Sequence, residues 1–205
     1  MTKRIPGKVV HRLTLYHGIL LEYLERDIEF ISSPQIAARL GIDDSQVRKD
    51  LKWLDSTGIC KVGYPAAALQ KAIESNLGFA KSKKALIVGA GNLGLALAKY
   101  DNFARYGIDI LALFDNDPHK VGLTTTNGKR VFHISELPET VRTSQVDVAI
   151  LTVPGTAAQE LADLLATAGL KHIWNFTQRL LLVPEGVRVW NENLIGNFIQ
   201  FTMED

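Results

Sequence analysis

With 205 residues, 46% of them hydrophobic and 22% charged, the chain can bury one large core or two small ones. Its single cysteine, Cys60, excludes an intrachain disulfide and a cysteine-rich zinc site, and fits a reducing cytoplasmic setting. The net charge of +1 conceals an asymmetry: residues 1–84 carry 14 Lys/Arg against 9 Asp/Glu, and the remainder carries 9 against 13. A basic first part joined to an acidic second part points the first toward a polyanion. No apolar run reaches the roughly 18 residues of a membrane span. The basic segment Met1–Val10 lacks the apolar stretch of a signal peptide, so no membrane role is expected.

In chain order, Leu13, Tyr16, Leu20 and Leu24 recur at helical spacing and predict one apolar helix face. Ser32-Ser33-Pro34-Gln35 supplies a hydroxyl cap and a first-turn proline for a short helix that Gly41 ends. Asp43-Asp44-Ser45 offers the next cap, before a helix over Gln46–Asp55. Two short helices around a glycine turn are the mark of a helix-turn-helix. Ser56–Gly63 could form a small β wing, and Ala66–Leu77 a further helix. The pattern changes near residue 80, giving a winged-helix domain over 1–80. From there strands and helices alternate: Ala85–Val88 strand, Leu93–Tyr100 helix, Ile108–Phe114 strand, a tight turn at Asn127-Gly128, Val146–Val153 strand, Thr156–Ala168 helix, His172–Phe176 strand. That alternation implies an α/β fold with a doubly wound parallel sheet of Rossmann type.

The strongest signal is Gly89-Ala90-Gly91-Asn92-Leu93-Gly94, directly after a strand and directly before a helix. Gly89 permits the tight turn, Gly91 the approach of a pyrophosphate, and Gly94 the close packing of helix on strand. The helix start offers backbone N–H groups to the phosphates. Asp115 closes the second strand 21 residues after Gly94, where an acid accepts the ribose hydroxyls and repels a 2′-phosphate. NAD(H) is therefore the expected cofactor, with His119 and Lys120 close by; a structural turn that binds nothing is the alternative.

On the helix over Gln46–Asp55, Val47, Leu51 and Leu54 share one side, and Ser45, Lys49 and Lys52 the other, with Gln46 and Arg48 flanking. Cationic and amide side chains facing outward can reach phosphates and base edges of double-stranded DNA. Lys61 belongs to the wing, and Lys3, Arg4 and Lys8 could form an arm. A plain solvated face is the competing reading. Catalytic and metal-binding constellations are not evident. The five histidines are scattered, and Asp117 before Pro118 reads as turn chemistry. Only about 110 residues follow the start of the glycine loop, too few for a separate substrate domain. The chain is thus expected not to be an enzyme; an NAD-dependent oxidoreductase with a helical appendage is the alternative.

Taken together these motifs resemble the Rex redox-sensing transcriptional repressors of bacteria. The likeness is carried by His11-Arg12-Leu13 with Tyr16, Ser45–Leu51, Val62-Gly63-Tyr64, Gly89–Gly94, Tyr100, Phe114–Pro118, Thr152-Val153-Pro154, Asn175-Phe176 and Val183–Val187. The resemblance implies a cytoplasmic homodimer with swapped C-terminal helices (189–205), an NAD(H)-binding domain over 81–188, and a palindromic operator released when NADH replaces NAD⁺. It implies that Tyr100, Thr152, Val153, Pro154, Asn175 and Phe176 join the cofactor site, and that Arg12, Tyr100 and Asn193 form the network linking that site to the DNA-binding domain. Asn193 stands where the family usually has Asp, Leu95 where it commonly has Arg, and Leu54–Cys60 where it has a basic wing segment. These departures leave a regulator with a weakened redox response as a further alternative.

Overall fold

The computed structural model describes residues 5–54 and 58–203. Lys3 and Arg4 of the expected arm, and Asp55–Thr57 at the end of the expected helix and in the expected wing, lie outside the described residues. The chain divides after Ala80 into two compact units.

The first unit holds helices α1 (Gly7–Glu25), α2 (Ser33–Leu40), α3 (Asp44–Leu51) and α4 (Ala66–Leu77), with two short antiparallel strands, β1 (Phe30–Ile31) and β2 (Tyr64–Pro65). Leu13, Tyr16 and Leu20 of α1 are fully buried, and Val47, Leu51 and Leu54 meet them in one core with Leu69 and Ile73 of α4. The helix starts follow the local chemistry. Ser32 and Gln35 form a reciprocal capping box on α2, and Gly41 ends it in the left-handed conformation (φ 64°). The Asp43 carboxylate accepts the Ser45 N–H at α3. Two expectations change. The α-helical part of the expected Gln46–Asp55 helix ends at Leu51, and Lys52–Leu54 continue as a tighter 3₁₀ turn. Lys8 lies in α1 rather than in an extended arm. In the wing, Ile59 bridges Gly63, whose φ of 111° is matched by a crowded neighbour: a Cβ there would stand 2.5 Å from the Ile31 carbonyl oxygen.

The second unit is a six-stranded, all-parallel sheet of β3 (Lys83–Val88), β4 (Ile108–Asp115), β5 (Val131–His133), β6 (Val148–Leu151), β7 (His172–Asn175) and β8 (Arg188–Asn191), ordered β5-β4-β3-β6-β7-β8. Helices α5 (Asn92–Ala98), α6 (Asn102–Arg105), α7 (Leu137–Thr143) and α8 (Gly155–Thr167) cover it, and α9 (Leu194–Met203) follows β8. The apolar core splits into two layers, one on each side of the sheet. Ala162 and Leu165 of α8 lie in one, Ala98 of α5 and Phe103 of α6 in the other. Such two-sided cover is why β3 and β6 read as continuous apolar runs. The order reverses between β3 and β6, the switch point where open α/β sheets bind ligands at the carboxyl ends of their strands. Residues 189–191, expected to belong to the terminal helix, instead pair with β7 as part of the sixth strand. The turn at Asn127-Gly128 is a hairpin with Gly128 at φ 82°, its N–H donated to the Thr125 carbonyl at 3.0 Å. Among the described residues no helix is long and apolar enough to cross a membrane, and no group of His, Cys, Asp and Glu could hold a metal.

Candidate functional site

A cleft of about 720 Å³ opens at the switch point, within the size range of small-molecule sites. Its floor is the glycine loop. Gly89, at φ 106°, runs so close to β6 that a Cβ would stand 2.7 Å from the Thr152 carbonyl oxygen. At Gly94 a Cβ would meet the Gly89 carbonyl oxygen at 1.9 Å, so α5 can only sit this close without a side chain there. Gly91 differs, because a Cβ on it would enter open space beside the cleft. Asn92, Leu93 and Gly94 form the first turn of α5, whose N–H groups have no acceptor within the helix.

Asp115 closes the cleft from the end of β4 and is only 8% exposed. One carboxylate oxygen accepts the Ala90 N–H at 2.7 Å and the Lys120 ammonium at 3.2 Å; the other accepts the Asp117 N–H at 2.9 Å. Burial pushes this carboxyl up, but the backbone donors of Asp117 and Ala90 together with Lys120 outweigh it and hold the group below the usual carboxylate range. The acid is thus charged, and it ties the glycine loop to β4 as well as facing the cleft. Thr152 points its hydroxyl at the Gly89 carbonyl oxygen, 2.8 Å away, while Val153 and Pro154 line the wall ahead of α8. Sequence reading did not find Ile134, Ala157, Glu160 and Leu161, which also line the cleft. They come from helical segments whose cleft-facing positions depend on how they pack.

The remaining expected cofactor residues are placed elsewhere in the second unit. Tyr100 is half exposed and edge-on to Phe103, with its hydroxyl accepting from the Asn102 amide. Phe176 stacks at a tilt on Trp174 and lines a second hollow of about 500 Å³ together with Asn193. Asn175 is fully buried, and its amide is committed on all sides. The nitrogen donates to the Arg179 carbonyl and to Asn191, and the oxygen accepts from the Thr177 N–H and hydroxyl. With those four bonds made, the Asn175 side chain has no capacity left for a ligand, and it serves to hold the turn after β7. Asn193 caps α9: its side-chain oxygen accepts the Gly196 N–H at 2.9 Å.

In the first unit, Arg48, Lys49 and Lys52 are exposed on and just after α3, Ser45 is half buried at its start, and Lys61 is exposed at the wing turn with φ 64°. The Arg48 guanidinium pairs with Asp44 one turn earlier, a surface pair that a stronger anion can displace. Gln46, expected to flank the outward face, turns instead to the buried acid of its own helix. Its amide donates to the Asp50 carboxylate at 2.9 Å, and Arg12 grips the same carboxylate through two bonds of 2.6 and 2.8 Å.

Residues 4–52 match the family model described as the putative DNA-binding protein N-terminus, and residues 80–179 the one described as the CoA binding domain. The redox-sensing transcriptional repressor Rex of Caldicellulosiruptor saccharolyticus is 40% identical over 96% of this chain and 90% of its own length. That of Treponema denticola is 41% identical over 92% of this chain and 90% of its own. The chain belongs to the Rex family. Among solved structures, the Rex-family repressor RSP in complex with NAD⁺ and operator DNA superposes with a TM-score of 0.88 at 32% identity, covering 98% of this chain and 93% of that one. RSP in complex with NADH gives 0.86, covering 98% and 94%. The relatives are transcriptional repressors rather than enzymes, which removes the oxidoreductase reading of the glycine loop.

Proposed function

We propose that this chain is a DNA-binding repressor that reads the NADH/NAD⁺ ratio, with NADH in the cleft lowering its affinity for a palindromic operator. The observation that carries the reading is Asp115, bonded to the Ala90 N–H at the mouth of a cleft of about 720 Å³, in a chain whose other unit exposes Arg48, Lys49 and Lys52 on and just after one short helix. Gly89–Gly94 would receive the pyrophosphate, Asp115 the adenosine ribose, and Thr152, Val153 and Pro154 would wall the dinucleotide. Ser45, Lys49, Lys52 and Lys61 would meet DNA, with Arg48 joining once it leaves Asp44. Dimerisation rests on α9, which buries none of its side chains in a single chain while Phe198, Phe201 and Met203 stand 65–77% exposed. An apolar face of that kind is covered by a partner; a second copy with exchanged helices suits it. Such a repressor works in the cytoplasm, where operator and cofactor pool meet.

A ligand moves an equilibrium only through its different affinities for the two states. Fluorescence anisotropy of a labelled operator, titrated with NADH and with NAD⁺ at fixed salt, tests this. NADH is expected to weaken operator binding by about 10-fold or more relative to NAD⁺, which is about 1.4 kcal/mol of coupling. Equal effects of the two cofactors would remove the redox-sensing part and leave DNA binding standing. A weakened response is the second reading, favoured by Asn193, a neutral side chain occupied with capping α9. A larger NADH effect in Asn193→Asp would support it.

A further inference from the structure

On its buried side α3 carries an acid among apolar residues. Asp50 is 1% exposed, next to Leu51 and one turn from Val47. Its carboxylate accepts from Arg12 Nε at 2.6 Å, Arg12 Nη2 at 2.8 Å, the Tyr16 hydroxyl at 2.8 Å and the Gln46 amide at 2.9 Å. Three of those four donors sit on α1, on side chains one helical turn apart. The charge is retained in this setting: burial pushes the Asp50 carboxyl up, and the hydrogen bonds from Arg12, Tyr16 and Gln46 pull it further down.

Holding two helices together does not require this arrangement. Apolar residues of similar volume join helices at least as strongly as a buried ion pair. What a two-pronged guanidinium adds is direction, because two parallel N–H bonds hold the carboxylate in the plane of the fork, where a single contact would let it turn. Apolar contacts fix the rotation of α3 about its axis less sharply than the directional bonds of the Arg12–Asp50–Tyr16 clasp. Lys49 is adjacent to Asp50 along the chain and exposed, so rolling α3 would swing the cationic face with it.

Resting on the reading that α3 meets DNA, we infer that Asp50 is the positioning residue of that helix: clasped by Arg12, Tyr16 and Gln46, it sets the angle at which Ser45, Lys49 and Lys52 face base edges. Gln46 belongs to the clasp and not to the reading face. The clasp acts on sequence discrimination. Attraction to phosphates depends on the charges themselves and needs no fixed angle.

The test uses the full-length protein without cofactor, in wild-type form and as Tyr16→Phe and Arg12→Lys. Anisotropy is measured on an operator duplex and on a scrambled duplex at the same salt. Tyr16→Phe removes one bond to a charged acceptor and Arg12→Lys removes the fork, so operator affinity should fall about 3-fold and about 10-fold respectively. Affinity for scrambled DNA should stay within about 2-fold, because the exposed cations are untouched. Tyr16→Phe leaves the ion pair in place and keeps the protein folded if Arg12→Lys does not. Amide hydrogen exchange in the absence of DNA gives a second readout: exchange in α3 should quicken in Tyr16→Phe while that in α4 stays as in wild type. Equal weakening on both duplexes, or an unchanged operator preference with unchanged α3 exchange, would overturn the inference. A wild-type protein that fails to distinguish operator from scrambled DNA would defeat the operator-recognition reading instead. The exchange measurement then still decides whether the clasp holds α3.

Discussion

A Cβ on Gly94 would lie 1.9 Å from the Gly89 carbonyl oxygen and 2.8 Å from the Thr152 hydroxyl, while one on Gly91 would touch nothing within 4 Å. The two glycines therefore answer to different demands, one internal and one external. Gly94→Ala should cost about 1–3 kcal/mol of stability in the second unit, as overpacking against backbone does, seen as a lower urea midpoint. Gly91→Ala should change stability by no more than about 0.5 kcal/mol, as a substitution into open space does, yet weaken NADH binding in a fluorescence titration because the methyl stands in the space beside the cleft that the pyrophosphate is proposed to approach. A large stability loss in Gly91→Ala would contradict this division. That these positions are glycine and follow a strand was legible in the sequence; so was the acid at Asp115. The partners of Asp115 were only partly so. Lys120 is five residues away, but the Ala90 N–H is 25 residues back and reaches the carboxylate only once β3 and β4 lie side by side. Gln46 shows the opposite error. Helical geometry alone placed it at the edge of the outward face, while its amide bonds to Asp50 four residues on, a pairing that sequence spacing permits but does not require.

Helix boundaries follow local chemistry where a cap is present. The Ser32 box, the Asp43 cap and the glycines ending α2 and α4 are written in the residues that flank them. The sixth strand, Arg188–Asn191, had no such mark. Trp190 is 69% exposed and the strand has no run of buried side chains, so nothing in its composition announces pairing with β7. Its neighbour α9 depends on the Asn193 cap. Asn193→Ala should cost about 1 kcal/mol of helix stability, read as weaker dimerisation, because the helix has no buried face in a single chain to hold it. In the proposed dimer, Phe198→Lys, which puts a charge on the exposed apolar side of α9, should shift the mass from dimer toward monomer in sedimentation equilibrium. An unchanged mass would mean α9 is not the dimer contact.

At the scale of the whole molecule, the buried acids Asp50 in the first unit and Asp115 in the second are both held below the usual carboxylate range. A carboxyl depressed in the folded state contributes stability that is present above its unfolded pKa of about 4 and is lost as pH falls through the folded value. The urea midpoint attributable to these groups should accordingly be level between about pH 7 and 5 and decline below about pH 4. Asp115→Asn should flatten the decline in the second unit, and a decline already complete at pH 5 would contradict the assignment. The local elements of this protein, its glycine loop, its acid at the end of the second strand of the sheet and the basic stretch on α3 were determined by the sequence alone, because caps, glycines and helical or strand periodicity act over a few residues. The strand order with its reversal between β3 and β6, the closing of the Thr152 hydroxyl onto Gly89, the clasp of Asp50 by α1, the commitment of Asn175 and the addition of a sixth strand were decided only by tertiary structure. Each joins residues tens of positions apart or depends on which neighbour happens to lie across a packed face, and burial leaves such groups to find partners that no local pattern names.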